Sequence, residues 1–435
     1  MKKILLLAGI VAAMASCTKS EISDVNIDNP NYIKFATPYT SASTKAEMDT
    51  DALVSTEAQV GVYAVTANAI TLAGAIIENT QLDGGNSWVS SAAYYWPSDG
   101  SSYDFYAYHP FNGTADVAHA EIDDIITTSA IKATADAQVD ILASGKVTAN
   151  TNDVPLVLAH MLSKVDFQVI VKSEKTDGNL EVVIKSLTLH NVNEAHAGLN
   201  LMTPAMVDAD EASLASYTYS TGAALSMLSG SAIATAYTGA VAGTTYSLDG
   251  YATDVDDIES TAFLLLPQAY VPFSVTYATA LEAATAEINE ADYADDADMD
   301  ADGAQTASEK YAAAVAAAEA QVNQDVTTTT APYITIEYAI AQKGILIAGA
   351  GTYGDDLAGS TISDYKSTAL PLPAFVISES HANQWIKSNS YMYTLTFDES
   401  ILDDIYEVTP ILFEVTADSW TENGNYEAGN ISSEN

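Results

Sequence analysis

Residues 163–192 read SKVDFQVIVKSEKTDGNLEVVIKSLTLHNV, in which two apolar-rich runs, at 163–172 and 180–192, flank a polar stretch containing Asp, Gly and Asn. Apolar residues at a period of two are typical of β-strands, and a cluster of turn-forming residues marks the break between them. Similar runs recur along the chain, for example VGVYAVTA (60–67), SYDFYAYHPF (102–111) and PYITIEYAIA (332–341). Short strands without strand–helix alternation predict an all-β protein built from sandwiches.

One segment in the second half of the chain has a different composition. Residues 281–325 are rich in Ala, Glu and Asp and contain no β-branched run. Apolar residues recur in it at helical spacing, at positions 281, 284, 288 and 291 and again at 311, 315, 318 and 322. We therefore expect a helical insertion between two neighbouring strands.

Charge limits the partners of this chain. Its 435 residues carry 15 lysines, no arginine and 58 acidic residues, for a net charge of −43. Nucleic acid is excluded as a natural partner because its phosphates need a basic surface. Anionic lipid headgroups would also repel the chain, so any attachment to a membrane requires a lipid anchor.

The N-terminus predicts export and such an anchor. Two lysines precede the apolar run ILLLAGIVAAMA (4–15), which is too short to span a bilayer and reads as a secretory signal peptide over residues 1–16. The run ends in Met-Ala-Ser-Cys, which resembles a bacterial lipobox, so Cys17 is the expected site of lipidation by acyl chains such as palmitate. The alternative is an ordinary signal peptide with a chance cysteine. Cys17 has no second cysteine in the chain with which to form a disulfide.

Several segments together resemble the fimbrillin family of Bacteroidetes, whose members are subunits of protease-assembled pili. The matching segments are the lipobox, TKA (44–46), VGVYAVT, YYWPSDGSSYDFYAYHP (94–110), DILASGK (140–146), VPLVLAHMLSKVDFQVIV (154–171), FLLLPQ (263–268), NQWIKSNSYMYTLTF (383–397) and VTPILFEVTADSWTENG (408–424). Their order and spacing, rather than any single motif, carry the resemblance.

The resemblance implies two tandem transthyretin-like β-sandwich domains, here at 46–177 and 178–435. The second would contain the helical insertion at 281–325 and a candidate donor strand and tail at 409–435. It also implies an outer-membrane lipoprotein precursor that becomes part of an extracellular fimbrium. A protease removes the N-terminal strand, and a strand from another fimbrial subunit then fills the open groove by β-strand addition.

Two regions of this chain would carry that chemistry. The propeptide would be residues 17–45, with a removable strand centred on Ile33 and Phe35 and a cut between Lys45 and Ala46. The family usually has arginine at the cleavage site, so lysine leaves the processing protease open. The alternatives for residues 32–44 are a permanent strand and a plain linker.

The candidate donor strand has an alternating apolar pattern. Ile411, Phe413 and Val415 would fill pockets in a neighbouring subunit, with Leu412 and Glu414 between them. The alternative is that residues 409–417 form an ordinary last strand of the second domain.

A calcium site is predicted from the residues alone. Residues 298–309, DMDADGAQTASE, match the EF-hand loop pattern, in which side chains at positions one, three and five converge on one ion and a glycine makes the turn. The expected ligands are Asp298, Asp300, Asp302, the carbonyl of Ala304, Thr306 and Glu309. The loop follows an Asp/Ala-rich run, so chance alternation of aspartates is the competing explanation.

Catalysis is disfavoured by the motifs. The chain has no G-x-S-x-G elbow, no Walker loop and no dinucleotide fingerprint, and its six histidines show no metal-binding spacing. The main functional hypothesis is therefore a structural fimbrial subunit that supports adhesion. The alternative is an outer-membrane lipoprotein that keeps its anchor and binds a glycan or another ligand on a host or bacterial surface.

Overall fold

The structure is a computed structural model of the chain. It describes residues 31–36, 39–40, 53, 58–83, 88–90, 92–113, 118–119, 124–126, 128, 138–151, 153–172, 180–208, 214–228, 245–247, 262–273, 283–284, 286, 288, 307–342, 345–354, 360–378, 381–398 and 411–419.

The described residues form β-strands and one long helix, which confirms the all-β prediction. The first half contains β1 (Tyr39–Thr40), β2 (Gln59–Thr66), β3 (Ile77–Asp83), β4 (Val89–Ser90), β5 (Tyr103–His109), β6 (Ala118–His119), β7 (Asp124–Ile126), β8 (Leu142–Ser144), β9 (Val147–Ala149), β10 (Val157–His160), β11 (Ser163–Lys172), β12 (Leu180–Asn193), β13 (His196–Asn200), β14 (Ala205–Asp208) and β15 (Leu214–Leu228). The second half contains β16 (Thr245–Ser247), β17 (Phe263–Leu265), β18 (Gln268–Ala269), α1 (Ala307–Thr327), β19 (Tyr333–Gln342), β20 (Ile345–Ala348), β21 (Ala350–Thr352), β22 (Thr361–Asp364), β23 (Lys366–Pro371), β24 (Val376–Ser378), β25 (His381–Ala382), β26 (Gln384–Trp385), β27 (Asn389–Asp398) and β28 (Leu412–Ser419).

The first sheet has eight strands in the order β1-β10-β8-β5-β2-β3-β4, with β9 beside β5. Both faces of its centre are covered. Val60 and Val62 of β2 pack in a core on one face, whereas Tyr63 and Val65 pack in a larger core on the other. A strand buried on both sides needs apolar residues at nearly every position, which explains the continuous apolar run of β2.

Two five-stranded sheets form a sandwich in the rest of the chain. The second sheet has the order β16-β11-β27-β28 with β17 beside β11, and the third has the order β15-β12-β19-β20 with β23 beside β19. Their inner faces share the larger core. Across that core the rings of Tyr338 and Phe397 lie 5.4 Å apart.

The partners of β11 lie far from it in the sequence. β11 lies in the first half of the chain, whereas its described partners β16, β17 and β27 all lie in the second half. Its pairing with β27 is parallel and runs from Lys164 opposite Ser390 to Lys172 opposite Asp398. The sandwich thus takes one of its central strands from the chain's first half.

The helical insertion is present as α1. Of its predicted apolar stripe, Val315 and Val322 are buried, and Val326 one turn further on is buried as well. The earlier half of the predicted insertion lies largely outside the described residues. No helix that the structure describes is long and apolar enough to cross a bilayer.

Candidate assembly interface

The N-terminal segment, residues 31–40, lies against the first sheet; its residues 31–36 and 39–40 are described. We call the surface that holds it the acceptor cleft: residues 94–96 on one side, residues 154–158 on the other, and the smaller core beneath. β1 extends the sheet by pairing in parallel with β10, Tyr39 opposite Val157 and Thr40 opposite Leu158. The predicted strand is therefore an extended segment held by two neighbours.

Backbone hydrogen bonds fix this segment on both sides. Ile33 N donates to the Tyr94 carbonyl at 2.9 Å, and Trp96 N donates to the Asn31 carbonyl at 2.8 Å. On the opposite side, Val154 N donates to the Lys34 carbonyl at 2.9 Å, and Ala36 N donates to the Val154 carbonyl at 3.0 Å. The segment thus satisfies backbone groups of the cleft that would otherwise need water or another strand.

Two apolar side chains of the segment complete the smaller core. Ile33 is 1% exposed and Phe35 is 8% exposed. Both belong to the core cluster that contains Val62, Phe105 and Leu158. Burying side chains of this size stabilises a fold by about 1.5–3 kcal/mol each. Removal of the segment would therefore leave an apolar cavity as well as unpaired backbone groups.

The alternation of residues 32–35 predicts that Tyr32 and Ile33 lie on opposite faces of the segment. The structure shows Tyr32 buried as well, at 2% exposed. Its ring meets Tyr95 edge to face at 6.1 Å, and its hydroxyl lies 3.3 Å from Ser90 Oγ. The cleft thus encloses the segment on both faces. The alternation of the sequence does not predict this, because it distinguishes the two faces without showing that both are covered.

Residues that the sequence did not single out build the cleft walls. Trp96 stacks on Tyr103 at 6.0 Å and meets Phe105 edge to face at 5.7 Å. Burial raises the pKa of the Tyr103 hydroxyl above its ordinary value. Two segments that contributed to the family resemblance contain the walls, since YYW is residues 94–96 and VPLVL is residues 154–158, and they were the available signal.

The processing residues lie outside the described residues. Cys17, Lys45 and Ala46 all fall there. Lys45 belongs to the stretch that connects β1 with Leu53, which is fully buried in the smaller core. The lipidation and cleavage sites therefore stay predictions.

The candidate donor strand is docked in its own sheet. β28 pairs antiparallel with β27 from Asn389 opposite Ser419 to Thr396 opposite Leu412. Ile411 and Val415, at 7% and 6% exposed, point into the larger core, and Phe413 lies opposite Leu395 in the ladder. Donation of this strand would require it to leave β27.

The calcium loop is mostly outside the described residues. Asp298, Asp300, Asp302, Ala304 and Thr306 lie there. Glu309 is the third residue of α1, where an exiting EF-hand helix would carry its last ligand. Within the described ranges, no group of three or more His, Cys, Asp or Glu side chains is placed to hold a metal.

An uncharged surface groove of about 610 Å³ lies at one end of the sandwich. Its described lining includes Gln268, Tyr270, Phe273 and Thr330 and contains no charged side chain. The amide of Asn191 shapes one wall by donating to the carbonyls of Thr329 and Ala331 at 2.9 and 3.0 Å. A lining whose described residues carry no charge suits an uncharged ligand.

The chain matches one family model and is similar to several solved structures. A family model described as fimbrillin-like matches residues 44–277, more than half of the chain. The chain is similar to a fimbrial protein from Bacteroides vulgatus ATCC 8482 at 13% identity and a TM-score of 0.41, covering 90% of this chain and 100% of that one. It is also similar to a candidate cell adhesion protein from Bacteroides uniformis ATCC 8492 at 12% identity and a TM-score of 0.40, covering 90% and 99%. No curated protein matches the chain.

Proposed function

Since this chain belongs to the fimbrillin-like family, we propose that it is a structural subunit of cell-surface fimbriae and supports adhesion. We propose no catalytic activity, because the family is one of fimbrial structural proteins. The proposed subunit consists of two tandem transthyretin-like sandwiches. It is made as a lipoprotein precursor and polymerises by β-strand donation. The observation that carries the proposal is the docked N-terminal segment, whose Ile33 and Phe35 fill the core of the first sheet.

The first step is export and temporary anchoring. Acylation of Cys17 would hold the precursor at the outer membrane, because the acidic chain has no electrostatic attraction to anionic lipids. A cut between Lys45 and Ala46 would then separate the chain from both its anchor and its N-terminal segment.

The second step is exposure of the acceptor cleft. Loss of the segment leaves Trp96 N and Val154 N without the carbonyls that accept from them. It also uncovers the apolar floor that Ile33 and Phe35 fill. Unpaired strand edges beside exposed apolar surface favour addition of a new strand.

The third step is donation of a strand by another copy. Ile411, Phe413 and Val415 occupy every second position of the sequence, and the buried Ile33 and Phe35 are likewise two residues apart, so both segments could present apolar side chains at a period of two. Within one subunit β28 is occupied by its ladder with β27. The proposal therefore requires an exchange in which the gain in the cleft offsets the loss of that ladder.

Processing is tested by N-terminal sequencing of surface-extracted protein. Under the proposal, the mature protein begins at Ala46 and forms SDS-resistant ladders, and Lys45→Ala abolishes both. Lys19→Ala, in the same propeptide, is the matched control and leaves both intact. A mature protein whose N-terminus is acylated Cys17 would contradict the proposal.

The donor assignment is tested by two deletions. Removal of residues 409–435 should leave monomers, whereas removal of residues 421–435, which keeps β28, should leave polymers. Far-UV circular dichroism of both proteins checks that each is folded. Polymers that persist without residues 409–435 would contradict the donor assignment.

A second candidate function is that of a permanently anchored adhesin, which the uncharged groove favours. Its ligand would be a neutral glycan, bound by amides, hydroxyls and the ring of Phe273. Binding of the monomer to an array of neutral and acidic glycans tests this candidate. It predicts neutral binders that are lost in Phe273→Ala and an uncut, acylated N-terminus.

We also propose that the loop at 298–309 binds one calcium ion. Its carboxylates are hard oxygen ligands of the kind calcium prefers, and a single extracellular loop is expected to bind at about 10⁻⁴–10⁻³ M. The ion would tie the loop to the start of α1 through Glu309.

A further inference from the structure

One edge of the third sheet is covered by α1. β23 lies outside β19 in that sheet, and the described residues place no further strand beside it. Glu319 of α1 forms an ion pair with Lys366 of β23, with Nζ 3.0 Å from Oε1. One turn later, Asn323 Oδ1 accepts a hydrogen bond of 2.8 Å from the backbone N–H of Ala369.

The bond to Asn323 fixes which backbone groups of β23 face outward. Along an antiparallel strand, successive residues direct their N–H and C=O groups to alternate sides. Because Ala369 N–H points to α1, residues 367, 369 and 371 face away from β19. Position 371 is proline and has no N–H, and the N–H of Ala369 is taken by Asn323. Of the three outward-facing residues of β23, Ser367 is therefore the one whose N–H is neither absent, as in Pro371, nor bonded to Asn323.

The packing of α1 is suited to covering an edge. Among the helix residues whose side chains are described, the buried apolar ones are Val315, Val322 and Val326. Their spacings of seven and four place them in a narrow stripe on one face. Val322 and Val326 join the larger core, so the C-terminal half of the helix is held against the sandwich. Glu319 and Asn323 lie one turn apart in this part of the helix, and both bind β23 through the contacts with Lys366 and Ala369.

An uncovered β23 would be a pairing site for a second copy of this chain. Edge strands carry rows of unpaired N–H and C=O groups that template pairing with another chain, and proteins block them with prolines, short strands or a covering helix. Here two of these devices occur together, since β23 ends in Pro371 and lies under α1. This combination is what protection against edge-to-edge association requires.

We propose that α1 is an edge guard, which prevents β23 of one copy from pairing antiparallel with β23 of another. The guard itself follows from the contacts of α1. That it directs strand addition to the acceptor cleft rests on the proposed function.

The test uses the full chain with Cys17→Ser and Lys45→Ala, so that the protein has no native thiol and keeps its N-terminal segment. Ser367→Cys adds one thiol at an exposed position of β23. The guard is then weakened by Glu319→Ala with Asn323→Ala. The matched control is Gln321→Ala with Gln324→Ala, two exposed positions of the same helix. Disulfide-linked dimer is measured on non-reducing gels after mild oxidation.

The expected result is at least about tenfold more dimer in the weakened variant than in the control, a difference that corresponds to about 1.4 kcal/mol. Asn323→Asp alone keeps an accepting oxygen and should stay monomeric. Loss of the hydrogen bond to Asn323 should make hydrogen exchange at the Ala369 amide about fivefold faster, the factor expected from one lost hydrogen bond. If exchange is faster by that factor and the weakened variant still forms no more dimer than the control, the proposal is overturned. Unchanged exchange at Ala369 overturns it too, because Asn323 would then not cap the edge. The precursor is uncut throughout, so failure here is distinct from failure of strand donation.

Discussion

The rings of Phe35 and Phe105 meet edge to face in the acceptor cleft, with centroids 5.9 Å apart and planes at 86°. Phe105 is fully buried in β5, a central strand of the first sheet. A segment that the proposed processing would discard thus contacts the centre of a core. Its removal would change the stability of the first sheet as well as its surface.

Phe35→Ala should lower the free energy of unfolding of the precursor by about 3 kcal/mol, because it leaves a cavity beside Phe105. Urea denaturation, followed by tryptophan fluorescence, measures the change. Lys34→Ala is the matched control, since Lys34 is half-buried and contributes its backbone carbonyl to the cleft. It should shift stability by no more than about 0.5 kcal/mol. Equal destabilisation by both variants would contradict the packing role of Phe35.

The sequence predicted which residues form strands better than it predicted how the strands pair. The expected strand at 163–172 matches β11 to the residue, because its alternation is a local property. Its partner β27 begins more than two hundred residues later, and no local pattern specifies a contact of that range. The end of the helical insertion was also predicted closely. It was expected at residue 325, and α1 ends at Thr327, within the Thr-rich stretch 327–330.

The candidate site could be predicted only in part. Ile33 and Phe35 were found because they alternate with less apolar residues. The segments that form the cleft lie about sixty and about one hundred and twenty residues further along the chain, and a local sequence pattern cannot predict contacts over that separation. The burial of Tyr32 was not predicted, because alternation assumes that only one face of a strand is covered. No sequence pattern predicted the role of Asn323, because the hydrogen-bond partner of a polar helix residue can be identified only when the position of β23 is known.

Acid should destabilise the protein partly through His109. Burial lowers the pKa of His109 below 6.5, although the nearby Asp140 carboxylate acts in the opposite direction. The folded chain therefore resists a proton that the unfolded chain accepts, so stability is complete above pH 6.5 and falls as the pH drops below that value. His109→Asn keeps a donor for the Gln59 carbonyl and should flatten this fall.

The measurement for His109 is the urea midpoint at intervals between pH 7.5 and about 5, where histidine titrates. The parent protein, measured at the same pH values, is the control. An unchanged slope in His109→Asn would show that His109 does not contribute to acid sensitivity.

Calcium should bind with measurable heat at millimolar concentration and should raise the melting temperature, because an ion that binds only the folded state stabilises it. Asp298→Ala removes the first ligand of the loop and should abolish both effects. Asp296→Ala lies in the same acidic run but outside the twelve-residue loop, and it should preserve both. Isothermal titration calorimetry makes the comparison. Equal loss in the two variants would mean that general acidity, and not the loop, attracts the ion.

Gly61→Ala should destabilise the first sheet, because an added Cβ would collide with the ring of Tyr108 on the neighbouring strand β5. That ring is buried, and its hydroxyl donates to Asn79 Oδ1 at 2.7 Å, so it cannot swing aside without breaking a hydrogen bond. Overpacking of this kind costs about 1–3 kcal/mol. Gly145→Ala is the matched control, since a Cβ there meets nothing within 4 Å. In urea, Gly61→Ala should unfold at a clearly lower concentration than Gly145→Ala. Coincident unfolding curves would mean that β2 and β5 can move apart to admit a methyl group. The first sheet would then be less tightly packed than its buried tyrosines indicate.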